Sequence, residues 1–221
     1  MGPARAWSLA IAMAVLTGLL ALPAQAASSS TPVRASTPTT VALAAIRRRA
    51  IITFDKNHDD PSDSTLTWKV VRQGDDGVWR VVEKLSWRAG SGMLGTAGTN
   101  ECAKGRGWLP NGRYRLRFHR DYPGSLIKGR AFRLDDKRCR NGRLRVALFI
   151  HTEQAAGNGQ CPDGPGDQVC RWEFPAINDY KSAGCIKLSP VDLADLSAHF
   201  LRFYKAGVRY SKKRVVVRVV P

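Results

Sequence analysis

Apolar and polar residues alternate one by one through several short stretches of this chain, the pattern of a strand with one face buried. Leu66, Trp68 and Val70 alternate with polar neighbours between Thr65 and Arg72, the cluster Gly74-Asp75-Asp76-Gly77 reads as a turn, and residues 78–87 resume with Val, Trp and Leu. That pair is expected to form a hairpin. Further strands are expected over residues 112–119, 143–150 and 214–220. The fold class that follows is mainly β.

One helix stands apart from this pattern. Ser189 suits an N-cap, Pro190 the first helical position, and Asp192 the free N–H groups of the first turn. Leu193, Leu196, Phe200, Phe203 and Tyr204 then recur at helical spacing and Gly207 closes the segment. His199 falls within the same stripe and reads as a structural residue.

The amino terminus has the parts of a secretory signal. Arg5 supplies the positive start, residues 7–22 the apolar core, and Ala24-Gln25-Ala26 a small-x-small cleavage site, so residues 1–26 are expected to be removed. The apolar run is marginal for a bilayer span and no later stretch is long and apolar enough, so no stable membrane insertion is expected after cleavage. Residues 27–45, dominated by Ser, Thr, Pro and Ala, read as a flexible tether. Residues 46–221 then form one domain of a size that supports a core. The expected location is secreted or periplasmic.

The exported part is strongly basic. Of 35 Lys and Arg only Arg5 is lost with the signal, leaving 34 against 18 Asp and Glu, a formal charge of +16. That charge favours an anionic neighbourhood, whether an anionic cell-wall polymer, an acidic lipid surface or nucleic acid, and charge alone does not choose among them. Nucleic acid is not expected. The arginines of Arg113-Tyr114-Arg115-Leu116-Arg117-Phe118 and Arg143-Leu144-Arg145-Val146 alternate with apolar residues as on a solvated sheet face, and no helix-turn-helix, zinc-finger or RNP-type pattern accompanies them.

Five cysteines, Cys102, Cys139, Cys161, Cys170 and Cys185, leave at least one unpaired in an oxidising compartment. Cys161 and Cys170 bracket the Gly- and Pro-rich Pro162-Asp163-Gly164-Pro165-Gly166-Asp167, which has little core to hold it, so a local crosslink there would stabilise it. This suggests Cys161 with Cys170 and Cys102 with Cys139, leaving Cys185 free; the alternative is that Cys185 pairs and another cysteine is the odd one. A zinc site with His151 fits no standard ligand spacing, and neither a metal nor a cofactor is expected.

A thiol near an imidazole is a candidate nucleophile. The imidazole either takes the thiol proton or holds the pair as thiolate and imidazolium. His151 ends the apolar run Val146-Ala147-Leu148-Phe149-Ile150, and Cys185 lies in Ser182-Ala183-Gly184-Cys185-Ile186-Lys187-Leu188-Ser189, before the helix. Gly184 would let the backbone approach a substrate, and the Cys185 amide would donate to a developing oxyanion.

These residues resemble the active-site signature of the L,D-transpeptidases of the YkuD type. Ile150-His151-Thr152 matches the family's upstream histidine, and Ser182, Gly184, Cys185 and Ile186 match its Ser/Thr-His-Gly-Cys-aliphatic segment, with Lys187 close to the basic form that follows. Ser91-Gly92, and Pro110-Asn111-Gly112-Arg113-Tyr114 entering a strand, are similar to a further stretch of many relatives. The similarity spans roughly residues 66 to 190. Two features depart from the pattern: Ala183 stands where the signature carries a histidine, and 34 positions separate His151 from Cys185, a longer interval that an inserted disulfide loop would account for.

The resemblance implies a YkuD-like β-sandwich or barrel and a cysteine acyltransferase acting on peptidoglycan stem peptides. In that reading Cys185 forms a thioester with His151 as base, and an amine or water resolves it, giving L,D-transpeptidation or L,D-carboxypeptidation. Ser182 and Gly184 complete the catalytic set, with Ser182 either fixing the turn or assisting the oxyanion. Asp179, Tyr180 and Lys187 are expected to line the substrate cleft. A different reading, motivated by Ala183 and the +16 charge, is a catalytically idle module of the same fold that binds the cell wall; an exported toxin using the same chemistry is a third.

Overall fold

A computed structural model of the chain describes residues 47–205 and 215–221. The expected signal peptide, the expected tether of residues 27–45, Ile46, Gly207 and Arg214 lie outside the described residues, as does the side chain of Tyr204. In chain order the elements are β1 (Arg48–Asp55), β2 (Ser64–Gln73), β3 (Trp79–Ala89), a short helix α1 (Thr96–Thr99), β4 (Gly112–Tyr114), β5 (Leu116–Pro123), β6 (Lys128–Leu134), β7 (Lys137–Arg138), β8 (Leu144–Arg145), β9 (Phe149–His151), β10 (Ile186–Lys187), α2 (Pro190–Lys205) and β11 (Val215–Val220). The protein is mainly β, with the one long described helix after the cysteine motif.

Two sheets share the core. The first has the order β3-β2-β1-β11-β4, with β1 and β11 parallel and the other pairs antiparallel; the second has the order β10-β9-β6-β5. Alternation decides the inward faces: Leu66, Trp68 and Val70 of β2, Ile52 and Phe54 of β1, and Val215, Val217 and Val219 of β11 are all buried. Phe132, Ile150 and Ile186 of the second sheet join the same cluster.

Helix α2 bridges the two sheets. The Ser189 hydroxyl accepts the Asp192 amide at 3.2 Å, capping the first turn as expected. Phe203 meets Trp68 of the first sheet edge-on, while Phe200 packs on Phe118 and Phe132 of the second. Trp87 donates to Asp195 at 3.2 Å and His199 pairs with Glu83, so β3 is tied to the helix by polar contacts.

Two expected strands are each broken in two. Residues 112–119 split at Arg115 into β4 and β5, which belong to different sheets, because the Asp135 carboxylate accepts the Arg115 amide at 3.1 Å in place of a ladder partner. Residues 143–150 split into β8 and β9 around Ala147, whose amide donates to Asp136 at 3.2 Å and whose φ of 55° lies in the left-handed region. Strands β1 and β6 were not among those expected from the sequence.

Candidate functional site

The site forms where the short parallel pair β9–β10 meets the end of β3. Register sets Ile186 beside Ile150 and Lys187 beside His151. Gly90 exchanges backbone hydrogen bonds with Lys187 at 3.0 and 2.8 Å, so the chain leaving β3 closes the other side of β10. Lys187 thus shares the face of His151, and Cys185, the residue immediately before β10, is delivered by the preceding turn to the edge of the strand that ends at His151.

The structure pairs Cys102 with Cys139 and Cys161 with Cys170, and leaves Cys185 free and partly exposed. Its Sγ lies 3.6 Å from the carbonyl of Ala147 and within reach of the Phe149 amide, beside the start of β9. Burial pushes the thiol up to about 11, against the opposing pull of that amide and of the Lys187 and Arg145 cations.

His151 is buried, and its Nδ1 lies 3.0 Å from the Thr152 carbonyl. A carbonyl only accepts, so Nδ1 carries the proton of the neutral ring and Nε2 keeps the lone pair. Burial first, then the Lys187 charge, holds the imidazole down at about 4. Thiol and imidazole therefore rest neutral. Of the two protonation states open to such a pair, this environment favours proton transfer during attack over a standing thiolate and imidazolium.

Ser182 is spent on the turn. Its hydroxyl donates to the Cys185 carbonyl at 2.6 Å and accepts the amides of Gly92 and Gly184, both at 3.2 Å, while its own amide donates to Gly92 at 3.0 Å. This leaves no oxyanion donor at Ser182 in this geometry. Gly184 has φ +121°, and a Cβ there would strike the Arg145 guanidinium and lie 2.9 Å from the Gly107 carbonyl, so the position needs glycine on both counts.

Arg145 is the residue that sequence reasoning placed wrongly. It is 6% exposed, while Leu144 and Val146 beside it are 48% and 56% exposed, so this alternation faces the opposite way from a solvated sheet face. Its guanidinium donates to the carbonyls of Gly107 at 3.0 Å, Ala183 at 2.8 Å and Trp108 at 3.5 Å, and also to Glu101. It thereby clamps the backbone under the thiol to the segment anchored by the Cys102–Cys139 bridge. The Ala183 side chain is exposed while its carbonyl is held by Arg145, so the residue at this position bears on the surface near Cys185 and leaves the backbone fixed.

The residues expected to line the cleft are mostly enclosed. Asp179 and Tyr180 are 1% and 5% exposed. Asp179 accepts the Phe174 amide at 2.7 Å and that of Glu173, and Tyr180 packs edge-on against Trp172 and Phe174 under the Arg88 guanidinium. Both side chains hold the 161–180 loop and do not face an open cleft, because the inserted loop folds over them. Lys187 forms a buried pair with Glu153, another contact that the sequence alone did not single out.

Glu153, Asp167 and Asp179 bring carboxylate oxygens within 4.8 Å of one another. Burial, with the Asp179 and Asp167 charges, pushes Glu153 up to about 7 against the pull of Lys187. The Lys187 ammonium supplies positive charge to this cluster. Among the described residues no helix is long and apolar enough to cross a membrane.

No family model matches the chain, and no curated protein does. Among solved structures the chain is similar to the crystal structure of the helical cell shape determining protein Pgp2 from Campylobacter jejuni, at 18% identity and a TM-score of 0.38, over 78% of this chain and 48% of that one. The chain thus spans about half the length of that protein, and the likeness is too loose to bear on what this one does.

Proposed function

We propose that the protein is an exported cysteine acyltransferase acting on peptidoglycan stem peptides. The observation that carries this reading is the one cysteine outside both disulfides, held against the start of β9, the strand that ends at a neutral histidine whose Nε2 keeps its lone pair. Cys185 Sγ attacks the carbonyl carbon of an L,D peptide bond as its proton passes to His151 Nε2. The Cys185 amide donates to the oxyanion, and Arg145 and Lys187 favour negative charge at sulfur. The C–N bond then breaks, the leaving amine takes the proton from His151, and a thioester remains. A side-chain amine of a second stem resolves it into a crosslink, or water resolves it into a trimmed stem.

The test is product formation from disaccharide tetrapeptides. The full exported chain should release the terminal D-residue and yield tripeptides or dimers, Cys185→Ala should yield neither, and His151→Asn should lose about a hundredfold or more in rate. Salt-sensitive adsorption to wall material without any product from the unsubstituted chain would instead support the idle wall-binding module.

A further inference from the structure

The outer face of the first sheet, turned away from the core, carries a groove of about 570 Å3 whose outward-facing lining includes Arg47, Arg49, Arg113 and Arg218 together with Trp79, while Arg48, between Arg47 and Arg49, points to the core side of β1. Register explains the cluster. Arg113 of β4 lies beside Arg218 of β11, which lies beside Thr53 of β1, and Arg49 is on the same face of β1 two pleats away. Arg49 stacks over the Trp79 ring at 4.4 Å and Arg47 donates to Gln73 at 3.0 Å, so two of the four are pre-positioned by neutral neighbours.

What marks these arginines is their convergence on one groove without a carboxylate: Arg80, Arg88 and Arg115 each hold an aspartate, whereas none of the four outward-facing groove arginines forms an ion pair among the described residues. Four uncompensated guanidiniums in one groove repel one another, and an anionic ligand removes that cost.

We infer that this groove binds a linear polyol-phosphate chain, which would hold the enzyme against an anionic wall polymer through a surface separate from Cys185. Arginine's planar fork matches phosphate oxygens bidentately, and among the described residues no lysine lines the groove. The lining reaches from Trp79 on β3 to Arg113 on β4, across five strands or about 19 Å, which spans several phosphates of an extended chain. A nucleic acid would call for open aromatic rings to stack bases, and the single tryptophan here is covered by Arg49. The inference does not depend on the thiol chemistry.

The test immobilises poly(glycerol phosphate) and measures binding of the full exported chain at about 50 mM salt, where such contacts are strong. Arg49→Glu with Arg218→Glu should weaken binding more than about tenfold and lower the salt slope by about one per arginine. Both residues are exposed, and the thermal melt and circular dichroism of the same double variant should match those of the unsubstituted chain, which shows that the fold is intact. Arg117→Glu with Arg133→Glu makes the same change in charge on the second sheet and should cost less than about twofold. Equal losses from the two double variants would overturn the groove in favour of diffuse charge. Failure of the unsubstituted chain to bind, or equally tight binding of duplex DNA or anionic vesicles that Arg49→Glu with Arg218→Glu weakens in the same way, would overturn the polyol-phosphate assignment.

Discussion

Two segments of this protein carry the same alternation of arginine and apolar residues, and they face in opposite directions. In Arg113-Tyr114-Arg115-Leu116-Arg117-Phe118 the arginines are exposed while Tyr114 and Leu116 are buried. In Arg143-Leu144-Arg145-Val146 it is Arg145 that is buried, with Leu144 and Val146 left in water. A two-residue period says which side chains share a face; the neighbouring elements decide which face is covered. The first segment lies over the hydrophobic core. The second lies under a ring of backbone carbonyls at Glu101, Gly107, Trp108 and Ala183, which a guanidinium satisfies and an aliphatic side chain cannot.

The largest expected effect is at Arg145. Arg145→Met leaves buried carbonyls unsatisfied and should cost about 3–5 kcal/mol in urea unfolding, whereas Arg117→Ala should stay within about 0.5 kcal/mol. Similar costs at the two sites would break the comparison. Next comes the bridge that anchors the carbonyl ring. Cys102 and Cys139 are 37 positions apart, and replacing both with alanine should cost about 4 kcal/mol; the 9-position Cys161–Cys170 loop should cost about 2.5 kcal/mol. Because Arg145 and the Cys102–Cys139 bridge act on the same segment, their combined cost should fall short of the sum, while Arg117→Ala should add independently.

The smallest effect is in the pH dependence of stability. Glu153 is raised to about 7, so between about 4.5 and 7 the folded state binds more protons than the unfolded, and stability falls as pH rises through that window. His151 is lowered to about 4, so between about 6.5 and 4 the unfolded state binds more, and stability falls as pH drops. The two oppose each other in the overlap. Glu153→Gln should leave a Tm that rises from pH 4 to 6.5, and His151→Asn one that falls from pH 4.5 to 7, each read by thermal melts across that range. Arg117→Ala should leave the profile of the unsubstituted chain.

Much of the architecture was legible because it rests on local pattern: the β2–β3 hairpin, β11 and the capped helix α2 all follow from alternation or helical spacing. Strand breaks were not legible, since they depend on Asp135 and Asp136, adjacent residues after β6 whose carboxylates capture the amides of Arg115 and Ala147. Strand β1 carries a clear signal in Ala50, Ile52 and Phe54, yet it follows directly on a low-complexity stretch, which blurs where the alternation begins. At the site, Cys185 and His151 stood out by residue type and setting. Arg145 did not, because an arginine's burial depends on carbonyls contributed by distant segments. Nor did the enclosure of Asp179 and Tyr180, which the 161–180 loop produces by folding over them.

Whether Cys185 is the nucleophile is read out by intact-mass measurement of residues 27–221 during incubation with disaccharide tetrapeptides. A covalent adduct of the stem lacking its terminal D-residue should appear and map to Cys185, be released by hydroxylamine as a thioester, and be absent in Cys185→Ala. Product formation with no adduct on Cys185, or undiminished turnover in Cys185→Ala, would contradict that role.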